Sequence, residues 1–176
     1  VKISDNELGG LKNEKSDDEG VSLSINEMAA QCFVFYFAGY ETSATTINFA
    51  LFELALNQNI QIKLRDAINT VTKKYNDEIT YDAVMEMQYL NKCVLETLRK
   101  YPPLQINTRV CTKTYQIPET NVVINKGMHV LLPIYGVHHD PEYYPDPEKF
   151  DPERFSEENA KNRHPFAFMP FGGGLR

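Results

Sequence analysis

The run from Met28 to Phe52 constrains this chain more than any other feature, because it is apolar on every helical face and carries a single charged residue, Glu41. A helix of that kind belongs either in a bilayer or at the centre of a folded domain. Gln31, Thr42, Ser43, Thr45, Thr46 and Asn48 sit inside the run with Glu41. One ionised group at mid-membrane costs roughly +2.5 to +3.5 kcal/mol on insertion scales. The expectation is therefore a long buried helix. Ser24 is its N-cap, with Glu27 three positions on as a capping-box partner, and the pattern continues to Asn57. Gly39 falls inside the helix, where glycine is unfavourable and needs a reason.

The sequence before this helix, residues 1–21, is polar and glycine-containing and reads as a loop or linker. Residues 22–176 are read as one truncated domain. The sequence starts on Val1 and stops in a glycine run, so the expectation is a piece of a longer protein. Beyond the long helix, residues 58–75 form an amphipathic helix, Thr80 starts a short one, and Met87 to Lys100 forms another that Pro102-Pro103 ends. Asn107 to Cys111, Tyr115 to Ile117, Val122 to Ile124 and His129 to Leu132 read as short strands, with a turn at Asn125-Lys126-Gly127. From His138 onward the density of proline predicts ordered but irregular structure. The fold class is mainly α with a small β region.

The net charge of −6 leaves no electrostatic footprint for nucleic acid. Cys32, Cys93 and Cys111 show no paired spacing, so buried reduced thiols are expected, and neither a zinc site nor a disulfide framework.

Four short patterns carry chemistry. Ala38-Gly39-Tyr40-Glu41-Thr42-Ser43 places a carboxylate and hydroxyls in the apolar helix, which suits a proton-delivery station or a kinked helix with a satisfied Glu. Thr42 can turn its hydroxyl onto a carbonyl one turn back and open a groove. Glu96-Thr97-Leu98-Arg99 puts a carboxylate and a guanidinium on one face, as an ordinary surface ion pair also would. Pro152-Glu153-Arg154-Phe155 offers a second arginine that could reach Glu96, or simply a surface residue on a loop. Pro170-Phe171-Gly172-Gly173-Gly174-Leu175-Arg176 could tuck its backbone under a flat ligand or act as a flexible linker. A phosphate loop would need a Lys-Ser/Thr that does not follow.

In this order, and with the Pro-Pro stop after E-x-x-R, the four patterns resemble the motif series of the cytochrome P-450 family, with a flavour similar to microsomal insect detoxifying members. The resemblance covers roughly Ser22 to Arg176 and implies a haem-dependent enzyme. Ala38 and Gly39 would lie over the distal face of the haem, and Glu41 and Thr42 would relay protons there. Glu96, Arg99 and Arg154 would form a structural network behind the haem loop. Arg109 and Arg176 would meet haem propionates. Phe171, Gly172 and Gly174 would pack beneath the macrocycle, so that Gly173 and Gly39 face opposite sides of it. The metal ligand, a cysteine two positions past the match to Arg176, is expected just beyond this chain, and none of the three cysteines present stands in its context.

The resemblance further implies insertion of one oxygen atom of O2 into a small lipophilic substrate. It implies an electron-donating reductase partner, and an endoplasmic reticulum membrane location, on the cytoplasmic face, through an anchor upstream. Two other readings stay open: a haem-thiolate isomerase or dehydratase that does not use O2, and an inert fragment or helical interaction module.

Overall fold

The computed structural model describes residues 23–161 and 163–173. The expected linker at 1–21 and the site candidates Gly174 and Arg176 lie outside the described residues. The structure is mainly helical with two small sheets. It divides into two compact units within the first helix, between Ala38 and Gly39.

Helix α1 spans Ile25–Leu56, 32 residues. Its start is built as a reciprocal cap. The Ser24 N–H and hydroxyl both donate to Glu27 Oε2 at 2.8 Å, and the Glu27 N–H donates back to Ser24 Oγ at 3.3 Å. In the first unit, Phe33 and Phe37, one turn apart, stack with centroids 6.0 Å apart.

The burial expected of this helix concerns the whole protein; within this chain alone its apolar residues are largely uncovered. Phe33, Phe35 and Phe37 are exposed, Phe35 to 77%, and Glu53 is the one fully buried residue of α1. Hydropathy states only that burial would be favourable; burial also needs an opposing apolar layer. The buried apolar residues Leu64, Ala83, Leu98, Ile134, Tyr144 and Phe150 all lie beyond α1 in the chain. Among the described residues, no helix is long and apolar enough to cross a membrane.

Helix α2 (Gln58–Lys74) buries Leu64 and ends with Lys73 and Lys74, cations suited to the negative end of the helix dipole. Helix α3 (Tyr81–Glu86) is capped by Thr80, whose hydroxyl accepts from the Ala83 N–H at 3.2 Å. Helix α4 (Gln88–Lys100) buries Cys93, Glu96, Thr97, Leu98 and Arg99 and stops at Tyr101, before Pro102-Pro103.

Strand β1 (Asn107–Val110) pairs antiparallel with β4 (His129–Leu132), with Arg109 opposite Val130. Between them, β2 (Tyr115–Gln116) pairs antiparallel with β3 (Val123–Ile124). Gly127 turns the chain at φ +89°, a conformation glycine adopts without steric cost.

The proline-rich region carries more regular structure than expected. Helix α5 (Ile134–His138) precedes it, and it holds a 3-10 turn at Pro152–Phe155, α6 (Glu157–Ala160) and a 3-10 turn at Pro165–Ala167. Each 3-10 turn begins with its proline, where the missing N–H is not needed, behind a capping side chain. Asp151 Oδ1 accepts from the Glu153 N–H at 3.1 Å, and His164 Nδ1 accepts from the Phe166 N–H at 3.2 Å. Proline therefore starts short helices here instead of preventing them.

The thiols also differ from expectation. Cys93 is buried, but Cys111 is half-buried and Cys32 exposed. Burial pushes the Cys93 thiol up to about 11, which keeps it protonated and unreactive at neutral pH.

Candidate functional site

Helix α4 presents Glu96 and Arg99 on one face, and both side chains are fully buried. The pair is bidentate: Arg99 Nε donates to Glu96 Oε2 at 2.8 Å and Nη2 to Oε1 at 2.9 Å. Arg99 also donates from Nη1 to the His138 carbonyl at 2.9 Å and from Nη2 to the Pro147 carbonyl at 2.8 Å. Glu96 Oε1 accepts the Asp151 N–H at 3.0 Å, just ahead of the 3-10 turn. Two charges can be buried here because nearly every donor and lone pair is used.

The second arginine does reach the carboxylate, though differently from the first. Arg154 Nε lies 3.5 Å from Glu96 Oε1, within ion-pair range, yet this buried N–H has no hydrogen-bond partner. Its Nη2 donates to the Asp146 carbonyl at 2.8 Å. The neighbouring Glu153 is held by Lys63 at 2.6 Å and Lys92 at 3.0 Å, which keep its carboxyl below the ordinary range and tie the 3-10 turn to α2 and α4.

Sequence reasoning missed two buried groups. His138 is fully buried, and its ring bonds on both sides: Nδ1 lies 3.1 Å from the Arg99 carbonyl, and the Met169 N–H donates to Nε2 at 3.0 Å. Glu53 accepts from Lys100 at 2.8 Å and from the Tyr101 hydroxyl, and Phe49 stacks on Tyr101 at 4.1 Å. Burial and the Glu53 carboxylate push the Tyr101 phenol well above its usual range, so it remains a donor. The available signal was a charged residue directly following the apolar run, and a histidine directly preceding the prolines.

Within the second unit, an apolar cavity of about 350 Å³ opens between Thr42, Thr46 and Ile47 of α1, Val94 and Leu98 of α4, and Phe171. Thr42 and Phe171, far apart in sequence, thus share one wall-to-wall space. Thr46 Oγ1 donates to the Thr42 carbonyl at 2.9 Å, and the helix runs on unbroken. Glu41 is exposed and is not among the lining residues. Gly39 opens this unit, and a Cβ placed there would meet nothing within 4 Å, so crowding among the described residues does not require glycine. Ala38 belongs to the first unit.

Gly172 is different. It has φ +75°, and a Cβ there would come within 2.8 Å of Asn107 Nδ2 and 3.6 Å of Arg109 Nη2. The positive φ favours glycine here, and any side chain would also displace the Asn107 amide from β1. Arg109 donates from Nη1 to the Thr108 carbonyl at 2.8 Å and to Asn107 Oδ1. Among the described residues, no carboxylate pairs with it. A Cβ on Gly173 would touch the Phe166 ring at 3.6 Å. Apolar walls, an exposed Phe171 and an uncompensated guanidinium beside Gly172 suit a flat apolar macrocycle with acidic substituents. The residues present fit haem in that respect. Among the described residues there is no cluster of metal-ligating side chains.

Comparison with known proteins gives the family. The family model "Cytochrome P450" matches residues 5–176. "Probable cytochrome P450 6a13" of Drosophila melanogaster is 52% identical over 161 residues, covering 90% of this chain and 33% of the relative. "Cytochrome P450 6B5" of Papilio glaucus is 52% identical over 166 residues, covering 93% of this chain and 35% of that protein. "Probable cytochrome P450 6d4" of Drosophila melanogaster is 46% identical over 176 residues, 99% of this chain and 34% of its own. The chain spans about a third of the length of these curated relatives. With a family match that runs over nearly all of its length, this chain belongs to the cytochrome P450 family.

Proposed function

We propose that the protein carrying this chain is a haem-dependent monooxygenase that inserts one oxygen atom from O2 into a small lipophilic substrate. The observation that carries this reading is that Thr42 and Phe171 line one apolar cavity. Haem with a thiolate ligand, when bound, supplies the O2 activation that no side chain can.

The chain's own residues bind, orient and move protons. Phe171, Gly172 and Gly174 would hold the macrocycle, the glycines for want of a side chain. Arg109 and Arg176 would hold its carboxylates by charge-assisted hydrogen bonds. Ala38 and Gly39 would be the residues nearest the side where oxygen binds. The Thr42 hydroxyl, on the cavity wall, holds a proton at Oγ1, and Glu41, exposed to solvent one residue away, replenishes it. Misdirected protonation would release peroxide instead of product. Glu96, Arg99 and Arg154 hold the segment that presents the haem loop. A reductase supplies electrons, and the whole protein sits on the cytoplasmic face of the endoplasmic reticulum membrane.

A carbon-monoxide difference spectrum of the reduced full-length protein tests the thiolate, and absence of its signature would reject the reading. Thr42→Ala is expected to divert reducing equivalents to peroxide, measured as peroxide formed per product. Coupling equal to that of the unsubstituted enzyme would remove Thr42 from the proton path.

A further inference from the structure

His138 stands at the junction between the Glu96–Arg99 pair and the tail turn. Its backbone carbonyl accepts from Arg99 Nη1, and its ring returns to the Arg99 carbonyl through Nδ1. A carbonyl can only accept, so Nδ1 carries the proton. Nε2 is then the bare nitrogen, and it accepts the Met169 N–H. The tautomer follows from the partners alone.

Met169 is where the turn closes. Its carbonyl accepts the Gly172 N–H at 3.1 Å, while its N–H is fixed by the imidazole. The ring itself cannot tilt freely. Phe168 stacks on it at 5.4 Å, and Tyr144 meets it edge-on at 6.3 Å while donating to the Ala167 carbonyl at 3.0 Å. A line of contacts therefore runs from Arg99 through His138 to Met169 and on to Phe171 on the cavity wall and Gly172 against Asn107 and Arg109.

We infer that His138, as the neutral Nδ1–H tautomer, is the positioning residue that sets the tail turn against α4 and so fixes where Phe171 and Gly172 meet the cofactor. The inference rests on the proposed function only in its last step, that the turn belongs to the haem-holding loop. His138 touches no reacting atom and acts through Met169.

The test uses the full-length protein. His138→Phe keeps a flat ring and removes both hydrogen bonds. His138→Gln places an amide oxygen where Nε2 was, so Met169 keeps its acceptor. Hydrogen exchange at the Met169 and Gly172 amides is expected to speed up about ten- to a hundredfold in the Phe variant and to return most of the way in the Gln variant. Haem loss to a scavenger is expected to follow the same order. Equal exchange in the Phe variant and the unsubstituted protein, or no rescue by Gln, overturns the inference. If the Phe variant fails to fold, nitrogen resonances of histidine-labelled unsubstituted protein decide it. A protonated Nδ1 with a bare Nε2 supports the tautomer, and the reverse overturns it. Exchange behaving as expected in a protein that shows no thiolate signature would uphold the positioning role and defeat the proposed function.

Discussion

Helices α1 and α4 differ in how much of their surface this chain, about a third of the length of its relatives, supplies neighbours to cover. Helix α1 carries the most apolar stretch of the chain and leaves Phe33, Phe35 and Phe37 exposed, while its one fully buried residue is Glu53. Helix α4 is far more polar, yet Glu96, Thr97 and Arg99 are fully buried in it. Hydropathy describes what a side chain loses in water. It says nothing of what neighbours the fold provides, and for charged groups the neighbours decide. Arg99 is buried because Glu96, His138 and Pro147 take up its donors.

The sharpest way to break this comparison is to leave one of the buried charges alone. Arg99→Ala in the full-length protein is expected to cost about 3–5 kcal/mol in urea unfolding, because Glu96 stays buried without its bidentate partner, with only Arg154 Nε at 3.5 Å in ion-pair range. Arg99→Lys should recover little, since an ammonium cannot match the fork that serves both carboxylate oxygens and two carbonyls. A loss near zero would mean that α4 is held by packing alone.

Tyr101→Phe tests whether the charge on α1 obeys the same logic. It removes the hydroxyl donor to Glu53 and is expected to cost about 1.5–3 kcal/mol by the same measurement, the range for hydrogen bonds to charged groups. Lys100 at 2.8 Å and Asn57 Nδ2 at 3.2 Å remain on the carboxylate and limit the loss.

A pH titration sharpens the comparison further. Burial above all, with the Arg99 charge, pushes His138 down to about 4 from its ordinary 6.5, against the hydrogen bond to the Arg99 backbone, which raises it. The unfolded chain then binds its proton first as pH falls. The stability present above pH 6.5 is lost progressively towards pH 4, on the order of 2 kcal/mol by pH 5. His138→Gln should flatten that limb in urea midpoints measured between pH 7.5 and 4.5. The groups facing the ring are Arg99, Tyr144 and the adjacent His139. The smallest effect belongs to the exposed side. In the 176-residue chain, Phe35→Ser should change unfolding by no more than about 0.5 kcal/mol while lowering self-association, read by light scattering. A loss several times larger would show that a partner covers α1 there.

Much of the secondary structure was legible because its signals are local. Ser24 and Glu27 cap α1 through contacts three residues apart, Thr80 caps α3, and Pro102-Pro103 follows the end of α4. The strands fell where β-branched residues alternate with turn formers. The proline-rich region was less legible, because the same prolines that break a long helix begin a short one when a capping side chain precedes them. In the candidate site, Glu96, Arg99 and Arg154 were legible from motif order, and Thr42 and Phe171 from the same series. His138 and Glu53 were not, because the groups that let them be buried lie in distant segments of the chain.

By itself, then, the amino-acid sequence determined where helices start and stop, and the family, since caps, turns and short motifs act between near neighbours. Tertiary structure alone decided which polar groups could leave water. His138 needs an acceptor from α4 and a donor from Met169 at once, and Glu53 needs Lys100 and Tyr101. Those partners come from distant segments, and desolvation is tolerable only when they arrive together.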